Sequence, residues 1–239
     1  MSTARPTSWL VTGANRGIGF EIVRQLLSSP TNVVVAAART PEKATALKDL
    51  QKTAKGTLHV IKLDVSDFES IRASAKDLQA ILGDSGLEYL INNAAVGPLD
   101  TVFTMEAEGL LDTFKTNSVG PALVSQVALP FLEKGTEKKI LHISSTGGSI
   151  GTAGHVGARF GSYSMTKAAL NMLAYKQKLE RPDFTVITLC PGWVKTDMGG
   201  EGAQLEPHES VSGILKIITS ATTTDSGKYL RYNGETIPW

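Results

Sequence analysis

Trp9-Leu10-Val11-Thr12-Gly13-Ala14-Asn15-Arg16-Gly17-Ile18-Gly19 begins as a short apolar run and breaks into a glycine-rich turn. From there the chain enters a segment of helical period, Gly17–Leu27. The same alternation continues to the end of the chain. Strands are expected at Trp9–Thr12, Asn32–Ala37, Leu58–Leu63, Tyr89–Asn92, Lys139–Ile143, Thr185–Leu189 and Lys228–Arg231. Helical patterns lie between them at Gly17–Leu27, Pro41–Thr53, Phe68–Leu82, Leu110–Leu132 and Tyr163–Glu180, and Pro207 suits the first turn of another. Val33-Val34-Val35 is continuously apolar, as required of a strand whose two faces are both covered by helices.

Strict strand–helix alternation implies right-handed crossovers and a doubly wound sheet. The fold expected is α/β, one Rossmann-type domain over residues 1–239 with a seven-stranded parallel sheet flanked by helices. The hydrophobic share of 41% and the charged share of 20% are those of an ordinary globular chain. A net charge of +1, with the charges well mixed, argues against nucleic acid or an anionic membrane surface as the main partner. The single cysteine, Cys190, excludes an internal disulfide framework and reads as a buried thiol. His59, His142, His155 and His208 have no ligand spacing, so no metal site is expected. No run approaches the roughly 18 apolar residues of a membrane helix, and the stretch before Ser8 is too short for a signal peptide. A cytoplasmic protein is the expectation.

Glycines at 13, 17 and 19 permit a tight turn and a close approach of backbone to a pyrophosphate, while the helix start supplies free N–H groups. The spacing is G-x-x-x-G-x-G, not the commoner G-x-G-x-x-G. In such folds an acidic residue ending the second strand binds the ribose of NAD, and a nearby arginine suits the 2′-phosphate of NADP. Here the strand ends Ala36-Ala37-Ala38-Arg39, so Arg39, helped by Arg16, favours NADP(H). Asp64-Val65 ends the third strand; its carboxylate suits either the adenine amino group or a turn.

Tyr163-Ser164-Met165-Thr166-Lys167 opens a helix with its phenol and ammonium at i and i+4, roughly 5–6 Å apart at Cβ. A fixed ammonium beside a phenol is expected to lower the phenol pKa from about 10, making Tyr163 a general acid and base. Before it come Ile143-Ser144-Ser145 and a stretch of six glycines, Gly147–Gly161, expected as loop.

With Asn92-Asn93-Ala94-Ala95, Asn117 and Pro191-Gly192-Trp193-Val194-Lys195-Thr196, these motifs stand in an order that resembles the short-chain dehydrogenase/reductase family over the whole chain. The ending Leu230–Trp239, with Thr196–Gly200, is similar to the branch holding C-factor, sniffer-type carbonyl reductases and fungal ketoreductases. The resemblance implies hydride transfer between NADP(H) and a small-molecule carbonyl or alcohol. Tyr163 would exchange the proton, Lys167 would hold the nicotinamide ribose, Ser145 would bind the carbonyl oxygen and Asn117 would hold a relay water. Gly13, Asn15, Arg16, Gly17, Ile18, Gly19, Arg39, Asp64, Val65, Asn93, Ala94, Tyr163, Lys167, Pro191, Gly192, Val194 and Thr196 would line the cofactor cleft. Asn92 would be structural. A homodimer or homotetramer through the Leu110–Leu132 and Tyr163–Glu180 helices is the family's habit. The Ser145–Tyr163 interval is longer than the family's, which keeps Ser144 and Ser149 open as the serine, and Ala95 stands where a glycine is usual. Substrate-pocket walls are expected from Leu99, Phe103, Phe160 and Trp193, suiting an apolar or aromatic ketone or aldehyde.

Two other classes remain open. Gly147-Gly148-Ser149-Ile150-Gly151 matches G-x-S-x-G, with Asp197 and His208 following in hydrolase order, although glycines and not a helix follow the serine. A non-catalytic NADP-binding signalling protein is the third class; the presence of Tyr163 and Lys167 speaks against it.

Overall fold

The computed structural model describes residues 6–239. The short stretch that bears on the signal-peptide expectation lies largely outside them. Seven strands form one parallel sheet: β1 (Thr7–Thr12), β2 (Asn32–Ala38), β3 (Thr57–Lys62), β4 (Tyr89–Asn92), β5 (Lys139–Ile143), β6 (Thr185–Cys190) and β7 (Tyr229–Arg231). The order is β3-β2-β1-β4-β5-β6-β7. The apolar strands explain themselves through the pleat. Trp9, Val11, Val34, Ala36, Ile91, Leu141 and Ile187 point to one face, and Leu10, Val35, Ala37, Leu90, Ile140 and Val186 to the other.

Each face is covered by an amphipathic layer. Ile22 and Val23 of α1 (Gly17–Leu26), Leu47 of α2 (Thr45–Thr53) and Val211, Ile214 and Ile218 of α7 (Pro207–Ser220) close the first face. Ile71 and Leu78 of α3 (Phe68–Leu82), Val124 and Ala128 of α5 (Gly120–Lys134) and Ala174 of α6 (Gly161–Glu180) close the second. Burying each such Leu, Ile or Val is worth about 1.5–3 kcal/mol, so the two apolar layers are the main source of the fold's stability. Among the described residues no helix is long and apolar enough to cross a membrane.

After β3 the chain crosses back over β1 to lay down β4 beside it. This reversal splays the connections leaving β1 and β4 and opens a crevice at their carboxyl ends, where ligands of doubly wound sheets sit. The glycine turn leaves β1 there, and Asn93-Ala94 leaves β4.

Two expectations need correcting. The Leu110–Leu132 pattern is not one regular helix: α4 (Ala107–Phe114) passes into a five-residue π-helical turn, Lys115–Val119, before α5 begins. Gly120 is pressed against β3's exit, where a Cβ would stand 2.4 Å from the Val65 carbonyl. The glycine-rich 147–161 stretch is also not plain loop, since short 3-10 turns form at Thr146–Gly148 and Ala153–Val156. It ends at Phe160, whose φ of 64° is left-handed, a conformation costly for a residue with a Cβ.

Candidate active site

The glycine turn is packed from both sides. Gly13 has φ 63°, and a Cβ there would come 2.9 Å from the Ala94 backbone. A Cβ on Gly19 would come 2.2 Å from the Gly13 carbonyl oxygen. Thr12 and Asn93 lock this geometry. Thr12 Oγ1 accepts from the backbone N–H groups of Asn93 (3.0 Å) and Ala94 (3.1 Å), and Asn93 Nδ2 donates to the carbonyls of Thr12 (2.9 Å) and Gly13 (3.3 Å). Asn93 therefore braces the turn as well as bordering the crevice. Helix α1 starts at Gly17 with no side-chain cap from Arg16 and no acidic residue in its first turn. That leaves a positive helix end open to an anion, and the backbone of Asn15, Arg16, Gly17 and Ile18 surrounds it.

Two arginines stand at this end in different states. Arg39, just past β2, is exposed, and its guanidinium pairs with no described residue. Arg16 Nη1 is 3.0 Å from Asp197 Oδ2 across the mouth of the crevice, with both side chains largely in solvent. Such a pair is weak, about 0–1 kcal/mol, and exchanges readily. Asp64 Oδ1 accepts from the Ser66 N–H (2.9 Å) and Ser66 Oγ (2.7 Å), bracing the turn after β3; Val65 beside it is buried.

The chemistry-bearing side chains gather at the ends of β4 and β5. Lys167 is buried and its Nζ donates to the Ile143 carbonyl at 2.8 Å, standing 5.5 Å from the centre of the Tyr163 ring. Burial holds its pKa down to about 8. The expected lowering of the Tyr163 pKa is not what this arrangement gives. Burial raises the phenol well above its usual value, the buried Cys190 adds to the rise, and the neighbouring Ser145 hydroxyl opposes it. Asn117, on the π-helical turn, is fully buried. Its Oδ1 accepts from the Val96 N–H (2.9 Å), and its Nδ2 donates to the Val96 carbonyl (2.8 Å) and to Thr166 Oγ1 (3.0 Å). Both amide hydrogens are thus spent on tying the chain after β4 to α6, and neither is free for a water.

Among the three serines, Ser145 is the one beside Tyr163. Ser144 Oγ is buried and donates to Asn171 Oδ1 at 2.6 Å. Ser149 Oγ is buried and donates to the Pro238 carbonyl at 2.5 Å. His208 lies exposed on α7, and Asp197 faces Arg16, so no nucleophile–base pair forms at Ser149 and the hydrolase reading falls.

Pro191 and Gly192 leave β6, and Gly192 adopts φ 84° against Leu205 and Tyr232. Val194 is buried, bridged in parallel to Leu205. Thr196 reaches the glycine turn; a Cβ on Gly17 would lie 3.3 Å from its Cγ2. Residues 199–202 fold beneath Trp193, whose Nε1 donates to the Gly199 carbonyl at 2.8 Å. The Met198–Pro207 segment is therefore closed on itself. Met198 and the Tyr163 ring both approach Gly97, each 3.6 Å from where its Cβ would be, and Phe160 meets Tyr163 edge to face at 6.3 Å. Leu99 and Phe103 are exposed outside this wall.

Three contributors escaped the sequence reading. Asp100 accepts from the Ser162 N–H at 3.1 Å and from its hydroxyl, capping the helix that carries Tyr163. Asn171 holds the Gly148 carbonyl at 3.0 Å, and Tyr229 donates to the Ser145 carbonyl. An Asp before a Thr-rich segment, or an Asn one turn past Lys167, gives no local signal of such distant partners.

A glycine turn at the reversal of a parallel sheet, opening onto a buried lysine and a half-buried tyrosine, defines an oxidoreductase. The chain belongs to the short chain dehydrogenase family, whose profile matches residues 8–206. A short chain dehydrogenase of Penicillium aethiopicum is 31% identical over 98% of this chain and 100% of its own length. The NADPH-bound carbonyl reductase from chicken fatty liver superposes with a TM-score of 0.92 at 35% identity, covering 100% of this chain and 96% of that one. The carbonyl reductase Sniffer of Drosophila melanogaster gives 0.90 at 29% identity, covering 99% and 100%.

Proposed function

We propose that this protein is an NADP(H)-dependent carbonyl reductase, catalytic through Tyr163, and folded as one domain over residues 1–239. The observation that carries the reading is Ser145, Tyr163 and Lys167 gathered beyond the ends of β4 and β5, at the same carboxyl edge of the sheet as the glycine turn after β1. The turn fits a dinucleotide because its glycines let the backbone close tightly against Ala94, Asn93 and Thr196, leaving the N–H groups at the uncapped start of α1 open to a pyrophosphate. Arg39 and Arg16 fit the additional phosphate of NADP, Thr196 and Val194 fit the nicotinamide end, and Asp64-Val65 borders the adenine side.

When bound, the nicotinamide supplies or accepts the hydride. The chain's own residues handle the proton. Tyr163, held protonated by burial, donates from Oη to the carbonyl oxygen, and Ser145 Oγ donates to the same oxygen and fixes its direction. Lys167, poised near neutrality, supplies positive charge behind the phenolate that results. Asn117 keeps the Val96 segment and α6 at fixed separation. Phe160, Gly97, Met198 and Trp193 offer an apolar wall, which suits an aromatic or aliphatic ketone or aldehyde. Leu111, Val119, Met172 and Leu179, exposed along α4 to α6, suit pairing with a second copy; sedentation-free sizing by light scattering would return a dimer or tetramer mass, and a monomer at all concentrations would remove that part.

Fluorescence titration with NADPH and NADH side by side tests the cofactor class. NADPH is expected to bind tighter, and Arg39→Ala to weaken it by roughly ten- to a hundredfold, the worth of one charge-assisted contact, while NADH is unmoved. Equal binding of both cofactors by the wild type would overturn the phosphate assignment, and no binding of either would overturn the reductase.

A further inference from the structure

The residues between Ser145 and Gly151 are held from below by the end of the chain. Tyr229, on β7 and almost fully buried, donates its phenolic hydrogen to the Ser145 carbonyl. Its own ionisation is pushed up to about 12 by burial, so it is a neutral donor throughout the working range. The Tyr229 ring stacks on Trp239 with centroids 5.2 Å apart, and Trp239 in turn meets Tyr175 of α6 edge to face at 6.2 Å. The backbone of this last segment is fastened as well. Ile237 N–H donates to the Tyr229 carbonyl at 2.8 Å, Gly151 N–H donates to the Trp239 carbonyl at 3.2 Å, and Ser149 Oγ donates to the Pro238 carbonyl. A Cβ on Gly151 would stand 2.9 Å from Pro238 Cγ, so the two segments are in tight contact.

From this geometry we infer that Tyr229, backed by Pro238 and Trp239, is a positioning residue that sets the Ser145 hydroxyl against Tyr163 and the substrate oxygen. The inference rests on the reductase reading of Ser145. The physical reason is that Ser145 starts a glycine-rich stretch with little stiffness of its own. Its N-terminal side is fixed by β5, where the Ser144 N–H donates to the Leu189 carbonyl at 2.7 Å. Within the turn its carbonyl accepts from the Gly148 N–H at 2.8 Å and its hydroxyl from the Gly147 N–H at 3.2 Å, and the hydrogen bond from Tyr229 ties that small turn, and with it the Cα–Cβ direction of Ser145, to β7. Asn171 performs the same service one turn on, at the Gly148 carbonyl. A hydroxyl aimed a fraction of an ångström or some tens of degrees off loses most of its catalytic value.

The test uses the full chain with NADPH and 4-nitrobenzaldehyde as probe substrate. Tyr229→Phe keeps the ring and its stack on Trp239 and removes only the donor. The expected result is a kcat about tenfold lower, with the dissociation constant for NADPH within twofold of wild type. In the reverse direction, with 4-nitrobenzyl alcohol and NADP, the rise of kcat with pH is expected to move upward, because a misaimed Ser145 no longer favours the phenolate of Tyr163. Amide hydrogen exchange at residues 145–151 is expected to quicken. A Ser145→Ala background separates the two claims. There, Tyr229→Phe is expected to add nothing, since the group it positions is gone. A full tenfold loss in that background, or a Tyr229→Phe enzyme with wild-type kcat and pH profile, would overturn the positioning role while leaving Ser145 in place. A Ser145→Ala enzyme with undiminished kcat would instead overturn the reading of Ser145 itself.

Discussion

Tyr163→Phe is expected to lower kcat for carbonyl reduction by about a thousandfold, within the 10²–10⁴ range that a positioned acid contributes, while NADPH binds as before. The ring stays against Phe160 and Gly97, so packing is preserved and only the proton is lost. The pH dependence follows from the direction of the pKa shift. Burial raises the phenol, so the protonated form needed for reduction persists across neutrality and is lost only when the phenol ionises at high pH. Alcohol oxidation needs the phenolate and is expected to climb with pH through the same region. Lys167 is charged below about 8 and loses that charge above it, so its help to the phenolate fades as the pH rises. In Tyr163→Phe, any residual rate should show neither limb. Stopped-flow single turnovers across pH would check both points, and a variant retaining a tenth or more of the wild-type kcat would remove Tyr163 as the acid.

Gly19→Ala is expected to weaken NADPH binding by about a hundredfold, the second large effect. The new Cβ would sit 2.2 Å from the Gly13 carbonyl oxygen, 2.5 Å from Asn93 Nδ2 and 2.9 Å from the Gly13 carbonyl carbon. All are parts of the turn itself, so the turn must open by roughly 1 Å to reach ordinary van der Waals contact. Gly13 cannot yield towards the sheet exit, because Ala94 already presses on it. Overpacking of this kind costs about 1–3 kcal/mol, which for a chain of this size lowers the melting midpoint by roughly 2–12 °C. Gly109→Ala is the control: on α4 nothing lies within 4 Å of its Cβ, and alanine is the better helix former, so stability should hold or rise. Differential scanning calorimetry with and without NADPH would read both variants. Wild-type affinity in Gly19→Ala would show that no pyrophosphate uses this turn.

The strands were legible because their apolar runs are continuous and end at glycine, asparagine, serine, proline or charged residues, and observed limits differ from expected ones by two residues at most. Helices α1 and α3 were legible for the complementary reason, a clear 3.6-residue stripe, whereas α6 turns a largely polar face inward, with Ser162, Thr166, Lys167 and Asn171 beside Leu170 and Ala174. The π-helical turn was not, since one additional residue in a turn shifts the stripe without erasing it; a polar Asn117 on an otherwise apolar face was the sole hint. Tyr163, Lys167 and the glycine turn carry their meaning in local spacing and could be read directly. Ser145 could not be separated from Ser144 and Ser149 by spacing, because what distinguishes them is which hydroxyl is already taken by Asn171 or by Pro238. Tyr229 and Asp100 act across 84 and 62 residues of chain, a distance at which sequence pattern carries no geometry. The direction of the Tyr163 shift was misjudged for a related reason, as i, i+4 spacing gives proximity to Lys167 but not the depth of burial.

The wide turn at Lys115–Val119 joins two helices that are cut to different rotational phase. Each residue of an α-helix advances the chain by about 100° around its axis, so removing any one residue from that turn would let α4 and α5 fuse into a single regular rod, rotated by that angle on one side of the cut. The rod would satisfy its backbone better than the present arrangement. It would also swing Asn117 off the Val96 segment, or else turn the Gly120 contact with Val65 away from the sheet. The irregular turn is therefore a phase adjuster: it lets one helix keep register with two neighbours whose spacing no uniform pitch could match.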